Sequence, residues 1–148
     1  MDNIDKKILN ILARDSKTQL KYISKQCELS PSAVHQRIKR LEEIKIIRGS
    51  RIILNFKKLG YSTTALVGLF LEQDKYFDSV LTKLSKIPEV LECLITTGNY
   101  SLLIKVIAKD NKHLMELIKD EIQTIPNVKS TESMIVLDEV LSRAFTFK

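Results

Sequence analysis

Two amphipathic helical stretches separated by only about four residues constrain this chain more than any other feature. The second starts at Ser30-Pro31, an N-cap hydroxyl followed by a proline whose fixed φ and missing N–H suit the first helical position. Val34, Ile38 and Leu41 then give it a narrow apolar stripe. Thr18 can cap the stretch before it, whose apolar face is Leu20, Ile23 and Cys27. Cys27 to Ser30 leaves room for a tight turn and nothing else. Two short helices cannot bury their stripes on each other alone, and a third lies upstream. It opens on Asp2, with an acid three residues on at Asp5, and places Ile4, Ile8, Ile11 and Leu12 on one face.

A helix pair joined this tightly is the helix-turn-helix arrangement, in which the second helix enters the major groove of DNA. Ser30 and Ser32 stand in its first turn. Gln36, Lys39 and Glu43 continue the side opposite the apolar stripe, flanked by His35, Arg37 and Arg40. Short hydroxyl and amide side chains can reach base edges, while the long cations suit phosphates. The charge divides in the same sense. Residues 1–60 carry 14 Lys+Arg against 6 Asp+Glu, and residues 61–148 carry 10 against 12, so the net +6 is a basic head on a slightly acidic body. After the third helix, Ile46-Ile47-Arg48 and Arg51-Ile52-Ile53-Leu54 flank Gly49-Ser50. They read as a hairpin wing, with Arg48 and Arg51 placed for the phosphate backbone. The bland alternative is a solvated basic face on an ordinary amphipathic helix.

The body contains a weak duplication offset by 38 positions: Ile87-Pro88-Glu89-Val90 corresponds to Ile125-Pro126-Asn127-Val128, and Leu66–Glu72 to Ile104–Asp110. Two copies are too few to stack as a solenoid. Each reads as strand, helix, strand, and two such units make a ferredoxin-like split sheet. The expected strands are 64–71, 90–96, 102–108 and 128–137, with helices near 76–86 and 112–124. Helices cover one face of such a sheet, and the other is free to pair with a second chain. The fold class is therefore α+β: an N-terminal winged helix-turn-helix over residues 1–60 and a C-terminal ferredoxin-like βαββαβ domain over residues 61–148.

Nothing in the body resembles a catalytic constellation. His35 and His113 make no metal-ligand pair, Cys27 and Cys93 match no metal or redox spacing, and the four glycines form no phosphate loop. The expectation is a protein that is not an enzyme and needs no metal or cofactor. Both cysteines sit in apolar-periodic stretches and read as buried thiols in a reducing cytoplasm. No apolar run reaches the length of a membrane span, and the N-terminus is no signal peptide. Three rivals stay open on residues alone: an architectural DNA protein without an effector, a metabolite-binding regulatory module whose head meets protein, and a small enzyme.

Over essentially its full length the chain resembles the Lrp/AsnC, or feast/famine, family of transcription regulators. The residues that carry this are Asp5 with Ile8-Leu9, Leu29-Ser30-Pro31-Ser32 with Val34, His35-Gln36-Arg37-Ile38-Lys39-Arg40-Leu41-Glu42, and Leu59-Gly60. In the body, Thr96-Thr97-Gly98-Asn99-Tyr100-Ser101, and Ile122-Gln123-Thr124-Ile125 followed by Ser130-Thr131-Glu132, are similar to the asparagine-responsive AsnC branch. The resemblance implies a body of the RAM/ACT-like kind, a homodimer formed through its sheets, assembly of dimers into an octamer, and a free amino acid, asparagine in this branch, bound between dimers. It implies that Gly98, Asn99, Tyr100 and Ser101 form a loop over the effector, with Gln123, Thr131 and Ser133 as neighbours. On the residues alone, Gly98–Tyr100 is a plain turn between two strands. Two departures stand out. Most of the family has aspartate where this chain has Ser101. The family often has glycine before and after the third helix, where this chain has Glu28 and Lys45. A residue with a Cβ at positive φ costs on the order of 1 kcal/mol, so the turns are expected to differ locally.

Overall fold

The computed structural model describes residues 1–148, which separate into two compact units. The first comprises Met1–Ile53 together with Val140–Lys148, and the second Leu54–Glu139. Against the expected boundary at 60/61, the break falls a few residues earlier, and the C-terminal segment returns to the first unit. There the Asn10 carboxamide holds it from both sides. Asn10 Nδ2 donates to the Phe147 carbonyl at 3.0 Å, and the Phe147 N–H donates to Asn10 Oδ1 at 2.7 Å.

The first unit holds α1 (Asn3–Arg14), α2 (Leu20–Cys27) and α3 (Pro31–Glu43). α1 begins with a full capping box: the Asp2 carboxylate accepts from the Asp5 N–H at 2.8 Å, and the Asp5 carboxylate accepts from the Asp2 N–H at 3.1 Å. α3 starts as its sequence dictates, with Ser30 Oγ accepting from the Ala33 N–H and Pro31 at the first position. α2 does not begin as expected. Its cap position is Gln19, without a side-chain bond, while the Thr18 hydroxyl donates backwards to the Asp15 carbonyl. Leu20 is correspondingly exposed rather than part of the buried face. The core of this unit is Ile8, Ile23, Cys27 and Val34, with Ile4, Ile11, Leu12, Leu29 and Ile38 packed against it. Each fully buried aliphatic side chain here contributes roughly 1.5–3 kcal/mol.

The expected hairpin wing is absent. Residues 48–55 hold no regular structure, and the only sheet belongs to the body. The physical reason is local: two short strands with no third layer are marginal in water. Ile52 and Ile53, 77% and 94% exposed, find nothing within the chain to pack on.

The second unit is a four-stranded antiparallel sheet of β1 (Thr63–Leu71), β2 (Val90–Leu94), β3 (Leu102–Ala108) and β4 (Val128–Val136). The order β2-β3-β1-β4 is that of the ferredoxin-like split unit. α4 (Phe77–Leu84) fills the first crossover, and α5 (Asn111–Glu116) the second, continuing as a π-helical turn over Leu117–Ile122. Alternation along the strands sends Ala65, Val67, Leu69, Leu102, Ile104 and Val106 under the helices, where they meet Val80, Leu84, Leu117 and Ile122. Their neighbours, such as Leu66, Gly68 and Phe70 on β1, face the other way, away from the helices.

Candidate functional site

Two surfaces gather the residues singled out by sequence. The first is α3. Val34 and Leu41 are fully buried, which turns Ser32, His35, Gln36 and Lys39 outward, all of them exposed. Ser30 and Ser32 pair through their hydroxyls at 3.0 Å in the first turn. Lys39 lies 3.9 Å from Glu43 one turn on, a solvated pair that leaves the ammonium accessible. Arg48 and Arg51 are exposed but belong to the irregular segment, so no hairpin tip orients them.

Arg37 and Arg40 are held differently from what their sequence position suggests. Arg37 Nη1 donates to Asp2 at 2.7 Å and to Asp5 at 2.8 Å, and Arg40 Nη2 donates to Asp5 at 2.6 Å. Asp5 is fully buried between α1 and α3. Burial alone would raise its pKa. The Asp2 amide, the Arg37 hydrogen bond and the Arg40 charge outweigh it, and the carboxyl is held below its ordinary value of 3.8. Asp2 is lowered as well, by the Asp5 amide first and then by Arg37, while the two carboxylates raise Arg37. Sequence reading missed this cluster although a signal existed. Asp5 sits one turn before Ile8 and seven residues before Leu12, so it lies on the apolar side of its own helix, and an acid there needs a cationic partner.

The second surface lies on the body, and the expected effector residues divide between its two sides. Gln123, Thr131 and Ser133 come together in a concavity between the α5 segment and β4, beside Asn111, Met115, Ile118, Lys119 and Ile135. Gln123 Nε2 donates to Thr131 Oγ1 at 2.8 Å. Thr131 and Ser133 pair with Leu69 and Val67, which fixes them on the helix side of the sheet. Tyr100 lies on the opposite side. Its ring covers Gly68, where an added Cβ would come within 2.3 Å of a ring carbon, and it meets Phe70 edge-on at 5.4 Å between centroids. Burial and the neighbouring Glu132 carboxylate push the phenol pKa up. Gly98 and Asn99 are exposed in the β2–β3 connection. Ser101 is committed to that connection's end: its hydroxyl accepts from the Leu71 N–H at 3.1 Å, and its N–H donates to the Leu69 carbonyl. A single chain therefore does not assemble Tyr100 with Gln123, Thr131 and Ser133.

The cysteines are free. Cys27 is buried and Cys93 half-buried, and burial pushes both thiols up, away from reactivity. No helix is long and apolar enough to cross a membrane.

Residues 1–42 match the AsnC-type helix-turn-helix domain family, and residues 64–144 match the Lrp/AsnC ligand binding domain family. The chain belongs to the Lrp/AsnC family. Regulatory protein AsnC of Escherichia coli K12 is 36% identical over 143 residues, covering 97% of this chain and 94% of that one. The HTH-type transcriptional regulator FL11 of Pyrococcus furiosus is 39% identical over 137 residues, 93% of this chain and 89% of its own. Among solved structures, E. coli AsnC superposes with a TM-score of 0.91 at 36% identity, over 98% of this chain and 97% of that one. The feast or famine regulatory protein of M. tuberculosis, solved with L-methionine, gives 0.88 at 29% identity over 95% of each chain. The protein is thus a transcription regulator with an Lrp/AsnC DNA-binding head and ligand-binding body. Where the Lrp/AsnC pattern often has glycine, Glu28 and Lys45 nevertheless take left-handed backbone, at φ 54° and 60°, so the expected local departure of the turns does not occur.

Proposed function

We propose that α3 lies in the major groove of duplex DNA and that a free amino acid, bound by the body, alters that binding. The observation that carries the reading is the division of α3 into two faces. Val34 and Leu41 are locked into the head, while Ser32, His35 and Gln36 stand in solvent at the end where a helix meets base edges, with Lys39 exposed one turn further on. Lys39 and the free part of Arg40, with Arg48 and Arg51 nearby in sequence, supply cations for the phosphates. Gln123, Thr131 and Ser133 offer amide and hydroxyl groups suited to a zwitterion, beside an apolar wall of Met115, Ile118 and Ile135 for its side chain. The M. tuberculosis relative solved with L-methionine supports a free amino acid as the class of effector, and likeness to the AsnC branch makes asparagine the first to test.

The protein works as a homodimer, and dimers assemble further to an octamer. The uncovered sheet face and the exposed Ile52, Ile53 and Leu54 support pairing of copies, because a chain with that much apolar surface gains by covering it. It acts in the cytoplasm and not as an enzyme. DNA affinity measured across several salt concentrations tests the reading: Lys39→Ala should weaken binding and flatten the slope of log affinity against log salt by about 0.9, the share of one phosphate. An unchanged slope removes Lys39 from the interface. A thermal-shift screen of free amino acids tests the body, since a ligand that prefers the folded state raises the melting temperature by mass action.

A further inference from the structure

Two of the cations on α3 are turned toward their own protein, and they are not held equally. Asp5 Oδ1 accepts from Arg37, while its Oδ2 accepts from Arg40 and from the Asp2 N–H. Arg37 is 28% exposed and places Nη1 between two carboxylates. Arg40 is 53% exposed and gives Asp5 one contact through Nη2, leaving most of its five N–H donors uncommitted. A fully buried carboxylate resists loss of either partner, because an uncompensated charge would remain inside the head. The cluster therefore fixes α3 against the first turn of α1 at two points three residues apart. Gln36 stands immediately beside it, lining a shallow cleft together with Asp2, Ala33, Arg37 and Arg40.

Resting on the DNA reading above, we propose that Asp5 and Arg37 are positioning residues for base recognition. Their contact sets the angle at which α3 is presented. Arg37 touches no phosphate, while Arg40 is aimed from Asp5 with its remaining donors directed at one. Sequence preference then depends on a contact remote from the bases, and the charge of Arg37 contributes nothing to the salt dependence of binding.

The test is fluorescence anisotropy on the full chain at several salt concentrations with two labelled duplexes, one selected by the wild-type protein from a random pool and one of random sequence and equal length. Arg37→Met should lose about tenfold on the selected duplex, the order of one base contact, with little change on the random one. Its slope of log affinity against log salt should equal that of wild type, whereas Arg40→Ala should flatten the slope by about 0.9. Arg37→Gln, which keeps a polar side chain at this position but removes the charge and the bridge between Asp2 and Asp5, serves if the methionine variant fails to fold by circular dichroism, with the same slope and the same loss of preference expected. Asp5→Asn should show the same loss of preference as Arg37→Met. A slope flattened by about one phosphate in a folded Arg37 variant would overturn the proposal, as would an unaltered preference between the two duplexes. Absence of salt-dependent binding by the wild-type protein would instead remove the DNA reading itself.

Discussion

Glu28 and Lys45 bear left-handed backbone at the C-terminal ends of α2 and α3, a position that glycine fills without steric cost. The hydrogen bonds show why the chain tolerates this. The Leu29 N–H reaches back to the Ser24 carbonyl at 3.0 Å, and the Ile46 N–H to the Leu41 carbonyl at 2.9 Å, each satisfying a carbonyl that the ending helix would orphan. The Cβ strain is the cost of keeping that closure. The Glu28 side chain is exposed, so its removal sacrifices no packing. Glu28→Gly should therefore stabilise the head by up to about 1 kcal/mol, less the extra freedom glycine gains in the unfolded chain. Urea unfolding checks this: the midpoint should rise for Glu28→Gly and fall for Lys25→Gly, which weakens the helix interior. A fall for both would mean that strain at Glu28 is negligible. At this scale the sequence was readable where a residue has one dominant use. Ser30 before Pro31 reads as a cap, and it is one. Thr18 was misread because its hydroxyl has a competing backbone acceptor at Asp15, a choice that composition does not decide.

Among the elements, periodicity located every strand of the body and all the principal helices, because each has one face committed to a core. The hairpin failed because β-rich composition says that a segment suits a sheet without saying which chain supplies the neighbouring strand. The union of α1 with α3 was only half legible, since the acid on the apolar side of α1 signals a need for cations but its two arginines lie more than thirty positions away, yet it makes a sharp prediction about pH. Asp2 and Asp5 have folded pKa values below the ordinary 3.8. Lowered carboxyl groups contribute stability that is fully present above the unfolded value and disappears as pH falls through the folded one. The stability gap between wild type and Asp5→Asn should thus be constant from neutral pH down to about 5, then close as the medium is acidified below 4. Urea midpoints of both proteins across that range measure it. A gap that persists unchanged at the acid end would show that Asp5 contributes through packing and not through its charge.

At the scale of the whole molecule, the pleat of β4 decides what one chain can do alone. Thr131 and Ser133 project to the helix side, and Glu132 between them pairs with Gly68 on the side that Tyr100 covers. No rotamer carries Tyr100 through the sheet to Gln123. If one effector touches both groups, one copy supplies the β2–β3 connection and another supplies the α5–β4 concavity, so the oligomer is required for the site to exist. This yields a complementation experiment. Tyr100→Ala and Gln123→Ala should each abolish amino-acid binding by calorimetry while leaving DNA binding intact, because neither lies in the head. When the two variants are unfolded together, mixed and refolded, random assortment pairs an intact tyrosine with an intact glutamine in about a quarter of the sites, and ligand binding should return at that stoichiometry. Mixing them without exchange of subunits should restore nothing. Binding retained by either variant alone would show that the effector uses one side of the sheet only. Recovery only on mixing would make effector occupancy and subunit association a single linked equilibrium, in which each favours the other by the same factor.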